Sequence, residues 1–151
     1  MLSNQELIQF DAQRLPFKSK QFDVVISIQV IEHLADPIDF LAECTRVLKM
    51  GGFLILSTPN PKGLAATVLK NKWQGYKNDH ISLKSPQRWR QIIRTSGFHL
   101  LEDGSTGLSG FKILRKLPFA LVNWIPMIIF GYFPWYKGES YIVMASKNED
   151  N

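Results

Sequence analysis

Phe22-Asp23-Val24-Val25-Ile26-Ser27-Ile28, then Asp36-Pro37, then Gly51-Gly52-Phe53-Leu54-Ile55-Leu56-Ser57: the reading of this stretch decides the fold. The first run is rich in β-branched residues and shows no alternation, as in a strand buried on both faces of a parallel sheet. Asp36 stands where a helix N-cap belongs, with Pro37 at the first helical position. Ile38, Leu41, Ala42, Thr45 and Leu48 recur at helical spacing on one face, and Gly51-Gly52 stops that helix. Phe53 to Ser57 reads as a second buried strand, closed by the loop Thr58-Pro59-Asn60-Pro61. Strand, helix and strand in this order imply a parallel pair joined by a right-handed crossover.

Working outward, Glu6 to Ala12 reads as a short strand, Leu7-Ile8-Gln9-Phe10, ending in Asp11 and followed by a polar loop from Gln13 to Gln21. Downstream, Leu64 to Trp73 reads as a short helix and Gln74 to Lys84 as a polar loop. Ser85-Pro86 caps a helix that runs to Thr95 and ends at Gly97. Phe98 to Glu102 and Tyr141 to Ala145 are two further strands. Between them, Leu117 to Tyr136 holds no charged residue over about twenty positions, a length that can span a bilayer as a helix. Pro118, Pro126, Pro134 and Asn123 interrupt it, while Trp124, Tyr132, Trp135 and Tyr136 suit an interface. Three readings stay open: an apolar hairpin over the chain's own core, short helices on a membrane surface or over a substrate pocket, and a spanning helix.

The 151 residues are 45% hydrophobic and 21% charged, which suits one globular domain with a real core. The formal charge of +5 is scattered rather than gathered into a run, so nucleic-acid binding is not expected. Cys44 is the single cysteine and reads as a buried thiol on a helix, which fits a reducing compartment. The first residues lack the pattern of a signal peptide, so the expected location is cytoplasmic, with peripheral membrane contact through residues 117–136. His33, His80 and His99 are too dispersed in sequence to argue for a metal site.

At this point the motifs resemble a family. Phe10-Asp11-Ala12-Gln13-Arg14-Leu15-Pro16-Phe17 is similar to the DA-x-x-LPF segment of class I S-adenosylmethionine-dependent methyltransferases. Phe22-Asp23-Val24-Val25 followed by Val30-Ile31-Glu32-His33-Leu34 resembles their FDVV…LEHL strand and turn, and Arg46-Val47-Leu48-Lys49-Met50-Gly51-Gly52 resembles RVLKPGG with Met50 in the usual proline place. Ser57-Thr58-Pro59-Asn60 resembles the end of the fifth strand. Lys72-Trp73-Gln74-Gly75, His80 and Ser85-Pro86 resemble a subgroup, like the ubiquinone-biosynthesis methyltransferases, that carries a lid there. The resemblance covers Phe10 to about Phe98.

This resemblance implies an α/β fold: a partial Rossmann-like, doubly wound sheet, mostly parallel with an antiparallel last strand, lacking the family's first two strands. Residues 1–151 would then be the carboxyl-terminal part of one domain, with a lid over 61–84 and an apolar insert over 108–138. The implied cofactor is S-adenosyl-L-methionine, bound across the carboxyl ends of the strands. Asp11 and Ala12 would meet the adenine, and Ser27, Ile28 and Gln29 would follow the central strand beside it; the alternatives are an aspartate capping a turn and ordinary strand-end packing. His33 and His80 are the candidate catalytic bases, or else a turn-ordering and a loop histidine. Asn60, Trp73 and His80 would face a small-molecule, lipid-linked or glycan acceptor, although tryptophans at such places are often core anchors. No glycine precedes Gly51, so the family's glycine loop has no counterpart here. The chain by itself is therefore expected to be inactive or incomplete and to need a missing front or an oligomeric partner. The competing reading is a non-catalytic remnant serving as an interaction or membrane-surface module. The missing strands would leave the Val24 strand as an open edge, an aggregation liability.

Overall fold

The computed structural model describes residues 7–107, 125, 128 and 136–148. Four strands form one sheet: β1 (Phe22–Ile28), β2 (Leu48–Pro59), β3 (Phe98–Ser105) and β4 (Ser140–Lys147), in the order β1-β2-β4-β3. β1 and β2 pair in parallel, with Ile28 opposite Ser57. β4 lies between β2 and β3 and runs antiparallel to both. The mixed sheet, three strands in one direction and the last reversed, is the architecture expected from the sequence.

α1 (Pro37–Val47) crosses from β1 to β2. Asp36 caps it as read, accepting hydrogen bonds from the N–H groups of Ile38 and Asp39. Its inner stripe is Phe40, Leu41, Cys44 and Val47, one position out of phase with the stripe read from the sequence; Ile38 is 57% exposed. The helix also stops earlier than Gly51-Gly52. Its last residue is Val47, and β2 begins at Leu48. Gly51, at φ +68°, sits in an irregularity where Phe22 pairs with Leu48 but Val24 pairs with Phe53. α2 (Leu64–Leu69) and a 3₁₀ turn (Lys70–Lys72) follow β2. α3 (Pro86–Thr95) is capped by the Ser85 hydroxyl and ends before Gly97, at φ +88°. A hydroxyl of Thr45 reaches the carbonyls of Leu41 and Ser96, tying α1 to the end of α3.

Leu54, Leu56, Tyr141, Val143 and Ala145 of the sheet meet Leu41, Cys44, Trp89 and Ile93 of the two helices in one core. The other face of β1 is open among the described residues: Val24, Ile26 and Ile28 are 43%, 64% and 53% exposed. The reading of β1 as buried on both faces is thus corrected. Its unbroken apolar composition does not alternate because an edge strand can carry apolar residues that nothing in the described chain covers. The strand read over residues 6–12 is not formed over its described part either; residues 7–11 carry no sheet pairing and residues 12–13 turn. A strand is stable only where a neighbour takes up its N–H and C=O groups, and among the described residues the one neighbour of β1 is β2.

None of the described helices is long and apolar enough to cross a membrane. The segment 117–136 lies outside the described residues except for Ile125, Ile128 and Tyr136. The open edge of β1 generates a prediction. Substituting Ile26→Lys places a charge in the middle of the exposed row and lowers the concentration-dependent association of the chain in analytical ultracentrifugation while helical circular dichroism is retained. An unchanged association constant would show that β1 is not the sticky edge.

Candidate active site

In a parallel pair both strands end at the same rim, and here that rim carries Ser27, Ile28 and Gln29 at the end of β1 and Thr58, Pro59 and Asn60 at the end of β2. Gln29 holds the left-handed φ of +54°, a conformation that costs free energy outside glycine and clusters at functional sites. It is held there by its own contacts. Its N–H bonds to the Ser57 carbonyl at 2.9 Å, and its side-chain amide donates to the hydroxyls of Ser57 and Ser140 at 2.9 and 3.3 Å.

Two cavities flank this rim. On the β1 side lies an apolar groove of about 340 Å³, lined by Phe10, Ala12, Val24, Ser27 and Val30 among others. Ala12 and Ser27 therefore share one cavity, although fifteen positions separate them in the chain. The hydroxyl of Ser27 is buried with no hydrogen-bond partner among the described residues. On the other side lies a polar pocket of about 160 Å³ lined by Gln29, Trp73, Lys77, His80, Glu139 and Ser140.

The groove's far wall is held by α1. Arg46 donates to the carbonyls of Leu15 and Phe17 at 2.9 and 2.7 Å and makes a two-pronged pair with Glu43 at 2.7 and 2.8 Å. Glu43 in turn accepts from the Leu15 N–H at 2.8 Å. Gln13 accepts from the Asp36 N–H, fixing the start of the same loop to the N-cap. Asp11 itself is exposed: its carboxylate takes the Gln13 N–H and its carbonyl takes the Arg14 N–H. These are the contacts of a turn-capping aspartate; it is Ala12, not Asp11, that lines the groove.

The lid residues divide. Asn60 is fully buried, and its amide donates to the carbonyls of Tyr136 and Gly138 while its Oδ1 caps the Lys62 N–H. Its side chain is spent inside the fold rather than offered to an acceptor. Trp73 is a buried anchor whose indole N–H donates to Glu139 at 2.6 Å, yet its edge still borders the polar pocket. Gly75 packs flat on that indole, where a Cβ would overlap the ring.

Glu32 and His33 form the 3₁₀ turn after β1 (Ile31–His33), and the lid brings His80 onto it. Ser82 fixes the approach, donating from its N–H to the Glu32 carbonyl and from its hydroxyl to the Leu34 carbonyl. The His33 and His80 rings meet edge to face with centroids 4.7 Å apart. The sequence, in which 47 positions separate them, hides this meeting. Sequence reasoning also missed Glu139 and Ser140. They reach the rim because β4 is antiparallel and starts where β2 ends, Ser140 opposite Pro59. Glu139 Oε2 is buried without a partner among the described residues. A glutamate next to a strand start is not distinctive in sequence, and no signal there could have singled it out.

Comparison with known proteins fits this geometry. Residues 2–56 match a family model described as a methyltransferase domain. An O-methyltransferase of ubiquinone biosynthesis from Cereibacter sphaeroides is 41% identical over 64 residues, covering 41% of this chain and 26% of that protein. The described fold superposes on an S-adenosylmethionine-dependent methyltransferase from Thermotoga maritima with a TM-score of 0.69 at 18% identity, over 93% of this chain and 63% of that one. A second such enzyme, from Archaeoglobus fulgidus, gives a TM-score of 0.62 at 20% identity over 93% of this chain and 66% of that one. Residues 2–56 thus resemble a methyltransferase domain, and the chain has the fold of these solved methyltransferases. It spans about a quarter of the length of the curated relatives it matches, 26% of the Cereibacter protein.

The Glu43–Arg46 pair yields a prediction with a defined sign. The hydrogen bond from Arg46 holds the Glu43 carboxyl below the ordinary glutamate range, against the opposing effect of burial. A folded value below the unfolded one of about 4.3 means the stabilisation is complete above that pH and is lost as pH falls through the folded value. The amide resonance of Leu15, which donates to Glu43, should shift with a midpoint below the normal glutamate range. Arg46→Ala should move that midpoint upward and loosen residues 11–21. An unmoved midpoint would refute the coupling.

Proposed function

We propose that this chain forms the adenosine-side rim of an S-adenosyl-L-methionine site and takes part in methyl transfer to an oxygen acceptor. The observation that carries the reading is the pair of cavities meeting at the Ser27–Gln29 strand end. The apolar groove with Ala12 and Ser27 suits a flat adenine ring, and the polar pocket with Gln29, His80 and Glu139 suits an acceptor. Ligands of open α/β sheets bind at this rim because the strand ends present free backbone groups there.

Methyl transfer asks little acid–base work of the protein. The methyl of a sulfonium is already electrophilic, so the protein aligns the acceptor in line and keeps water out. An oxygen acceptor must also lose its proton. The buried Oε2 of Glu139, without a hydrogen-bond partner among the described residues, would accept a hydrogen bond from it. The relatives' name, with its O-methylation in ubiquinone biosynthesis, supports a hydroxyl on an apolar, lipid-linked acceptor.

The test uses S-adenosyl-L-homocysteine and the isotope-labelled full chain, so that even weak binding is read residue by residue. Amide shifts should concentrate at Ala12, Ser27, Ile28 and Gln29 and saturate together. No shift at millimolar ligand, or shifts confined to other parts of the chain, would overturn the assignment. Glu139→Gln should leave that titration unchanged and lower the turnover of an assembled, active enzyme; weaker S-adenosyl-L-homocysteine binding in this variant would instead put Glu139 on the cofactor.

A further inference from the structure

We infer that Lys77 selects the acceptor, and that the acceptor bears a carboxylic acid besides its hydroxyl, on a head group no larger than one six-membered ring. This rests on the reading of the polar pocket as the acceptor's place and adds the chemical class of the occupant.

The class follows from which polar groups of the pocket are already used. Gln29 spends its amide on the hydroxyls of Ser57 and Ser140. The Trp73 indole N–H goes to Glu139 Oε1 at 2.6 Å, and His80 Nδ1 is bonded to the Gly75 carbonyl at 2.8 Å. Two charged groups on the wall are left over. Glu139 Oε2 is buried without a hydrogen-bond partner among the described residues. Lys77, on the exposed side of the same pocket, forms no ion pair with Glu139 or with any other described residue. A buried carboxylate oxygen without a donor is costly, and an unpaired cation facing the same space attracts an anion. The occupant that answers both presents an O–H donor to Glu139 and a negative charge to Lys77. Such complementarity sets specificity more than raw affinity.

Size and charge narrow the class. The pocket holds about 160 Å³, and a cavity of about 150 Å³ accepts a benzene ring. Pro59, Trp73 and Gly75 on its wall suit a flat ring. One lysine, a point charge without the fork of an arginine, suits a single carboxylate. A phosphate dianion would meet the Glu139 charge with only one cation to offset it. An apolar tail on the same acceptor finds no room among these polar groups and lies outside the pocket.

The experiment titrates the isotope-labelled full chain with three one-ring probes: para-hydroxybenzoate, phenol, which lacks the acid, and benzoate, which lacks the hydroxyl. Amide shifts over residues 73–80 and 139–140 are expected to saturate at millimolar para-hydroxybenzoate. Phenol should bind about three- to fivefold more weakly, the scale of an exposed ion pair. Lys77→Gln, on an exposed side chain, should bring para-hydroxybenzoate down to the level of phenol and leave phenol unchanged. Glu139→Gln should remove the advantage over benzoate. The inference is overturned by phenol binding as tightly as para-hydroxybenzoate, by equal losses of both in Lys77→Gln, or by no saturable shift with any probe. The S-adenosyl-L-homocysteine titration at Ala12 and Ser27 to Gln29 reads the other cavity. Its failure with acid selectivity intact would sink the cofactor reading alone, and lost selectivity with those shifts intact would sink this inference alone.

Discussion

Parallel pairing of β1 with β2 is the constraint from which the rest follows. Parallel strands cannot be joined by a tight turn, so a helix must cross between them, and α1 does so. Parallel strands also end together. The Ile28–Ser57 register brings Gln29 beside Ser57 and sets the turn holding Glu32 beside Thr58. Because β4 is inserted antiparallel, it starts at the same rim, and Ser140 and Glu139 arrive there by direction alone. Three separate parts of the chain thus contribute to one rim of the sheet.

α1 serves both sides of this arrangement. Its inner stripe completes the core, where Cys44 is so enclosed that burial pushes its thiol up to about 12 and keeps it protonated and inert. Its outer side carries Glu43 and Arg46, which hold the loop after Asp11 by backbone carbonyls and one backbone N–H. Because these bonds are to main chain, loop position depends on α1 rather than on the loop's own side chains. That is how an irregular segment presents Ala12 to a groove without the support of a sheet ladder.

At the β3 edge of the sheet, opposite β1, a comparable polar lock joins α3 to the sheet. Arg90 grips Asp103 through two nitrogens, Tyr141 and Tyr136 donate to the same carboxylate, and the guanidinium lies 4.2 Å from the Tyr136 ring centre. Burial and the Asp103 charge drive the Tyr141 hydroxyl far above its ordinary range, so it stays a donor throughout the working pH range. The lid is secured differently. Trp73 is buried against Glu139, Gly75 lies flat on the indole, and Ser82 is stitched to the turn after β1. His80 is positioned by those contacts, which is why a polar loop without regular structure still delivers a side chain to a defined place.

The amino-acid sequence by itself determined what local chemistry can dictate. Asp36-Pro37 and Ser85-Pro86 started helices because a side-chain oxygen must take up the free N–H groups there, and Gly97 ended one because it alone readily adopts a positive φ. The β-branched runs became strands, and the motif order pointed to the fold that the solved structures share. Tertiary structure decided everything that depends on a neighbour. Leu7 to Phe10 had the composition of a strand but no partner for its hydrogen bonds; Ile38 had the spacing of a core residue but faced outward. Asn60 was consumed by carbonyls at positions 136 and 138. His33, His80 and Glu32 became a cluster, and Glu139 joined the rim, because strand direction and lid anchoring set distances between residues that sequence separation does not encode.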